Sequence, residues 1–291
     1  MIAIFGKNAD ARNIGYIEET LSLLKRAGKP FVIEEHYARI LRNEFHLNPP
    51  SNAYAHYDEI RRDCEMVFSM GGDGTILEAV TFIKETETPI LGINFGRLGF
   101  LANVGKDQIH QAVEVVTKGK YLIDRRSLLD FHSNKPLFTS FPFALNEMTV
   151  QRKDQSSMIT VHTYLNGELL NAYWADGLII STPTGSTGYS LSCGGPIIYP
   201  TSNNFVITPV APHNLNVRPI IVSDEVVLSF EVTGRGNSFL CTLDSRFETI
   251  DATYQLAVKK AAFSACLVRL TDMNFIASLK NKLNWGSDLR N

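Results

Sequence analysis

Over its first 120 or so residues the chain alternates short apolar runs with stretches of helical spacing, and this constrains its fold more than any other feature. The runs are "MIAIFG", "FVIEE", "MVFSM" and "PILGIN". Between them the apolar residues recur at helical intervals: Ile17, Leu21 and Leu24 ahead of Gly28 and Pro30, then Ile76, Val80 and Ile83, then Ile109, Val113 and Val116 after Asp107. Such alternation predicts a largely parallel sheet covered by helices. From Tyr121 onward the period falls to two. Ile159, Val161, Thr163 and Leu165 alternate as far as Asn166-Gly167, which predicts a hairpin closed by a type I′ turn whose return segment leads to "LIIST". Val226, Leu228, Phe230 and Val232 repeat the period, "YQLAV" and "ACLVRL" follow as further strands, and "DMNFIASLKNKLNW" regains helical spacing. The pattern predicts an α/β domain over 1–120, a mainly antiparallel β domain over 121–270, and a C-terminal helix in 271–291 that returns to the first domain.

Composition narrows the partners. Of 291 residues, 44% are hydrophobic and 20% charged, enough for a large core. Lys and Arg number 28 against 30 Asp and Glu, so the chain has no net positive field for nucleic acid or an anionic membrane, and an anionic ligand needs a local site. No apolar stretch approaches the roughly 20 residues that cross a bilayer, and "MIAIFGKNADARN" lacks the pattern of a leader peptide, so a cytoplasmic protein is expected. Cys64, Cys193, Cys241 and Cys266 are widely spaced with no C-x-x-C pair, which predicts reduced thiols and no zinc site.

Five stretches carry chemistry. The first is "GGDGT", residues 71 to 75, directly after "MVFSM". Gly71, Gly72 and Gly74 permit a sharp turn in which backbone N–H groups approach phosphate oxygens, and Asp73 is placed to take the proton of an attacking hydroxyl. A carboxylate is too weak a base to strip an alcohol beforehand but can accept its proton late in the reaction. The alternative is a plain turn in which Asp73 or Thr75 caps the following helix. The second is "NFGRLGFLANV", residues 94 to 104, where a loop with Asn94, Arg97 and Phe100 leaves the same edge of the sheet; its alternative is an apolar connection with an exposed Arg97.

In the third, "ALNEMTV", Asn146 and Glu147 interrupt apolar residues, so one of them points inward and needs a partner or ligand unless the segment is an exposed edge. The fourth, "WADGLIISTPTGSTGYSLSCGGP", residues 174 to 196, sets Asp176 before a buried strand and Ser186, Thr187 and Tyr189 in a Ser/Gly loop suited to ribose edges and base stacking. The fifth is "APHNLNVRP" with His213, which is either structural or a ligand contact. No P-loop, H-E-x-x-H or G-x-S-x-G pattern occurs.

Taken in this order, the stretches resemble the NAD kinase family over Ile2 to Leu270. "GGDGT" alone is shared with diacylglycerol and sphingosine kinases, so a lipid kinase is the competing enzyme, and a non-catalytic dinucleotide sensor the competing binding protein. The resemblance implies a Rossmann-like α/β domain followed by a β-sandwich-like domain, in homodimers or homotetramers. It implies ATP-dependent phosphorylation of the adenosine-ribose 2′-hydroxyl of NAD, with Mg²⁺ or another divalent metal entering with ATP. By the same resemblance Asp73 is the catalytic residue, and Gly71, Gly72, Gly74 and Thr75 form the phosphate-side turn. Asn146 and Glu147 contact the dinucleotide, Asp176 is the Asp of a D-G segment, and Ser186, Thr187 and Tyr189 line the adenosine site. Asn94, Arg97, Phe100 and His213 complete the expected binding set. Phe95, Gly188 and the Ser of "LDSR", residues 243 to 246, depart from the family's commoner residues, as does the lack of an Arg before Asp176.

Overall fold

The runs IAIFG, MVFSM and ILGIN form strands buried along their whole length, as apolar segments without polar alternation should. The computed structural model describes residues 1–47, 53–153, 157–236, 238–270 and 275–285. The chain divides into two units, one of Met1–Arg125 with Ala265–Asn291 and one of Arg126–Ser264.

The first unit runs β1 (Ile2–Gly6), α1 (Ile14–Arg26), β2 (Phe31–Glu34), α2 (Glu35–Phe45), β3 (Ala53–Tyr54), β4 (Met66–Met70), α3 (Asp73–Ile83), β5 (Ile90–Asn94), β6 (Val104–Gly105) and α4 (Ile109–Thr117). The strands are parallel and ordered β3-β2-β1-β4-β5, with β6 beside the end of β5. The order reverses between β1 and β4, and α/β sheets bind ligands beyond the C-terminal ends of strands at such a point. "GGDGT" follows β4 there. Ile4, Phe68, Leu91 and Ile93 meet Ile17, Leu24, Ile109 and Val113 of the helices in one core. The sequence reading overlooked α2, whose N-terminus is held by the Glu34 carboxylate accepting the His36 and Tyr37 N–H groups at 2.9 and 2.8 Å.

The second unit contains β7 (Leu122–Ser133, which begins in the first), β8 (Phe143–Ala144), β9 (Glu147–Arg152), β10 (Ile159–Leu165), β11 (Glu168–Ala175), β12 (Gly177–Ser181), the short α5 (Tyr189–Ser192), β13 (Asn204–Val210), β14 (Ile220–Ser223), β15 (Leu228–Gly234), β16 (Phe239–Leu243), β17 (Arg246–Ile250) and most of β18 (Gln255–Arg269). Antiparallel β10, β11, β15 and β18 make one layer, and β14-β13-β12-β9-β16-β17 the other. Val161, Phe230 and Leu256 from the first layer share a core with Val150, Ile180, Phe205 and Phe239 from the second. Asn166 and Gly167 both have positive φ, 51° and 87°, as the expected β10–β11 turn requires.

"YQLAV" and "ACLVRL", expected as two strands, belong to one. The intervening Lys259 and Lys260 stay in the strand because Asp130 and Asp224 receive their ammonium groups at 3.6 and 2.6 Å. Past Ser264 the strand enters the first unit, where Leu267 pairs with Ile90. The expected C-terminal helix is α6 (Phe275–Leu283), with Leu279 buried and Phe275 6.3 Å from the Phe100 ring; residues 271–274 and 286–291 of that expectation lie outside the described residues. All four cysteines are free. No helix among the described residues is long and apolar enough to cross a membrane.

Candidate active site

In the first unit β4 delivers the chain into a turn whose Gly71 N–H donates to Ile93 O at 2.9 Å, tying it to β5. Helix α3 starts at Asp73 with Gly72 as its N-cap and no side-chain cap bond, so neither Asp73 nor Thr75 caps the helix. The Asp73 carboxylate turns instead to the loop after β5. It accepts the Phe100 N–H at 2.8 Å, the Leu101 N–H at 3.1 Å and the Ala102 N–H at 2.9 Å. An ionised carboxylate has about four acceptor positions, so one remains for a hydroxyl proton. The first turn of α3 adds its own positive end to this anion-favouring setting. Gly74 is exposed, and the Thr75 side chain fills the space beside Gly71.

The second motif is drawn to the same place, but its side chains divide. Asn94 is buried and shapes its own loop: Nδ2 donates to Arg97 O at 2.8 Å and Oδ1 accepts the Gly96 N–H at 2.9 Å. Arg97 is exposed. Phe100 contributes its amide to Asp73, while its ring meets Phe275 and lies 5.3 Å under the Lys282 ammonium.

In the second unit the "ALNEMTV" and "TPTGSTGYS" stretches meet. Thr182 donates its N–H to Asn146 O at 2.9 Å and its hydroxyl to Leu145 O at 2.6 Å, while accepting the Gly185 N–H at 3.2 Å. A Cβ at Gly185 would strike the Asn146 carbonyl, and one at Gly188 would lie 3.2 Å from a Glu147 carboxyl oxygen, so both positions need glycine or a small adjustment for the turn to close on the Asn-Glu pair. Asn146 Oδ1 and Glu147 Oε2 are buried with no hydrogen-bond partner among the described residues, an exception among buried polar atoms. Burial, then the nearby Asp244, pushes the Glu147 carboxyl up to about 8.

The other expected residues play varied parts. The Ser186 hydroxyl is fully buried, donating to Pro183 O at 2.7 Å and accepting the Ile198 N–H at 2.9 Å, so it builds the loop. Thr187 donates to Thr184 O at 3.2 Å, and Tyr189 has an accessible ring at the start of α5. Asp176 pairs with Arg152 at 3.0 Å. Arg152 reaches Asp176 from the end of β9. His213 is exposed with its ring 4.2 Å from that of Trp174.

Sequence reasoning missed Thr182 and Asp244. Asp244, at the β16–β17 tip, accepts the N–H groups of Leu145, Asn146 and Glu147 at 2.9, 2.8 and 3.1 Å. The stretch "LDSR" stands out in the sequence only for its Ser245, and Asp244 is passed over because an Asp is an ordinary residue at a turn.

Comparison with known proteins agrees with both halves. The ATP-NAD kinase N-terminal domain matches residues 2–121, and the ATP-NAD kinase C-terminal domain matches residues 145–270. The chain belongs to the NAD kinase family. It is 44% identical over 292 residues to the NAD kinase of Cytophaga hutchinsonii, with 100% of each chain covered. It is 44% identical over 292 residues to that of Flavobacterium psychrophilum, covering 100% of this chain and 99% of the relative. Among solved structures, the yeast NADH kinase complexed with NADH has a TM-score of 0.87 at 23% identity over 99% of this chain and 89% of its own, a likeness of fold. An NAD kinase from Archaeoglobus fulgidus in complex with ATP has a TM-score of 0.75 at 26% identity, covering 98% and 99%. The NAD kinase match of the C-terminal half leaves the lipid-kinase alternative without support, since "GGDGT" belongs to the other half.

Proposed function

We propose that this chain transfers the terminal phosphoryl group of ATP to the 2′-hydroxyl of the adenosine ribose of NAD, giving NADP, with Asp73 as the catalytic residue. The observation that carries this reading is the anchored Asp73 carboxylate, held by three amides with one acceptor position left over. Phosphoryl transfer asks chiefly for positioning and charge stabilisation, and an immobile acceptor aimed at the nucleophile supplies the first. Asp73 orients the hydroxyl and takes its proton as the oxygen–phosphorus bond forms. Asn146, Glu147, Tyr189 and the backbone of the 185–188 turn bind the dinucleotide. Gly71, Gly72, Gly74 and Thr75 form the turn on the phosphate side, Asp176 with Arg152 flanks the second binding loop, and Asn94 and Ser186 serve by shaping loops.

Divalent metal enters bound to ATP. Among the described residues no three His, Cys, Asp or Glu side chains gather as a metal site, and Asp73 has most of its acceptor positions filled by amides.

A homodimer or homotetramer is the assembly we propose, supported by exposed apolar side chains on the second unit: Leu169, Trp174, Tyr199, Leu215, Ile221 and Phe247. A cytoplasmic location fits substrates of this class. The deciding assay is NADP formation from NAD, ATP and Mg²⁺, read with an NADP-specific dehydrogenase, with NADH and polyphosphate in parallel. NAD binding without product from any donor would leave a dinucleotide sensor. Light scattering behind a sizing column reports the assembly.

A further inference from the structure

We propose that Asp244 is a positioning residue for dinucleotide recognition: the tip of the β16–β17 hairpin sets the direction of the Asn146 and Glu147 side chains. This rests on the reading of that pair as the dinucleotide contact.

Asp244 holds three successive amides with its carboxylate and, in return, donates its own N–H to Glu147 O at 3.0 Å. The segment is thus gripped through both donors and acceptors. Two residues further on, Arg246 donates to Phe141 O and Phe143 O, so one hairpin fixes the strand entry from 141 to 147 at both ends. Thr182 holds the opposite side of the segment through Leu145 O and Asn146 O. Backbone clamped on two sides fixes the Cα–Cβ vectors of 146 and 147, whose buried Asn146 Oδ1 and Glu147 Oε2 have no hydrogen-bond partner among the described residues.

A turn residue alone would not need these features. Asp244 has φ 53°, a conformation that Gly or Asn adopts at less or equal strain, so closing the hairpin does not call for a charge. A carboxylate is the side chain that can receive three N–H groups at once. Burial raises both carboxyls; at Asp244 the three amide bonds and then Arg246 oppose that rise, whereas Glu147 accepts no such bonds among the described residues and is pushed up to about 8. Arg246 is the charged group that faces Asp244 from the same hairpin, and Asp244 is the charge that bears on Glu147. Glu147 then presents an O–H donor as well as an acceptor to its ligand.

The test is Asp244→Asn, with steady-state kinetics in both substrates and NAD affinity by calorimetry. The expected result is a KM and Kd for NAD raised about ten- to hundredfold, since displacing a contact by about an ångström has effects of this size. The KM for ATP should stay within about twofold. The alkaline fall of kcat/KM for NAD should also move to lower pH, because the substitution removes the contribution that Asp244 adds to burial in raising the Glu147 carboxyl. Asp244→Gly suits the left-handed turn and removes the carboxylate, so it serves if the Asn variant does not fold. Unchanged NAD constants in a folded variant, or equal losses for NAD and ATP with an unmoved pH profile, would overturn the proposal. Wild-type protein that binds NAD but makes no NADP would overturn the kinase reading alone, and the proposal would then be judged on NAD affinity. Wild-type protein that binds no NAD would overturn both.

Discussion

Gly99 and Asp73 compete for one space: a Cβ built on Gly99 would fall on the Asp73 carboxylate. The glycine is required by this approach, because its φ is not positive. Gly99→Ala must push the carboxylate off its three amides or move the loop that carries them. Overpacking of this kind costs about 1–3 kcal/mol. We expect a folded protein with kcat reduced at least tenfold and a lower Tm, checked by kinetics and calorimetry side by side.

Asp73→Asn is nearly isosteric yet not neutral for stability. Its amide oxygen can keep some of the three N–H groups, but its NH₂ must face at least one of them, and an orphaned donor costs about 1–3 kcal/mol. Turnover should fall by several orders of magnitude while NAD Kd stays near wild type and Tm drops by only a few degrees. Turnover close to wild type would remove Asp73 from the proposed role.

Ligand-free stability should decline as pH rises from about 5 to about 8. Glu147 is held up to about 8 in the folded protein, against about 4.3 in an unfolded chain, so between these values the folded state binds the extra proton. Stability is therefore complete below the unfolded value and is lost as pH climbs to the folded one. Glu147→Gln should flatten the dependence of Tm across that window, which thermal melts at four pH values would show.

Thr182→Val keeps the shape of a fully buried side chain while removing both its bonds. Leu145 O loses a donor and Gly185 N–H loses an acceptor, at about 1–3 kcal/mol each. Tm should fall by several degrees, and KM for NAD should rise more than KM for ATP. Equal changes in both KM values would show that Thr182 acts through global stability alone.

The strands of the first unit could be read from sequence because burial on both faces leaves apolar runs, and "GGDGT" directly follows one of them. Helix α2 escaped notice because "EHYARILRNEF" buries only Tyr37, Ala38 and Leu41, too narrow a stripe to stand out among charges. Strand β18 looked like two because Lys259 and Lys260 interrupt it, and their acidic partners lie more than thirty residues away in sequence. The candidate site was legible where chemistry needs an unusual residue type, as at Asp73, Asn146 and Glu147. It was illegible where an ordinary turn residue acquires its role from distant backbone. Asp244 lies nearly a hundred residues from the amides it holds. Ser186 shows the converse: a hydroxyl in the right motif is used up by its own loop.

Strand β18 carries the chain back to Ile90, and Val268 and Leu270 join the core of the first unit. The unit that leaves the ribosome first is thus finished last. Roughly 140 intervening residues take about seven to thirty seconds to synthesise. During that interval the Ile90 end of β5 is paired on its β4 side only and the core lacks two of its apolar side chains, the condition in which a nascent sheet edge recruits other chains. Expression yield should consequently depend on what shields this edge, and a chain cut before Ala265 should be recovered as aggregate although both motifs of its first unit are intact.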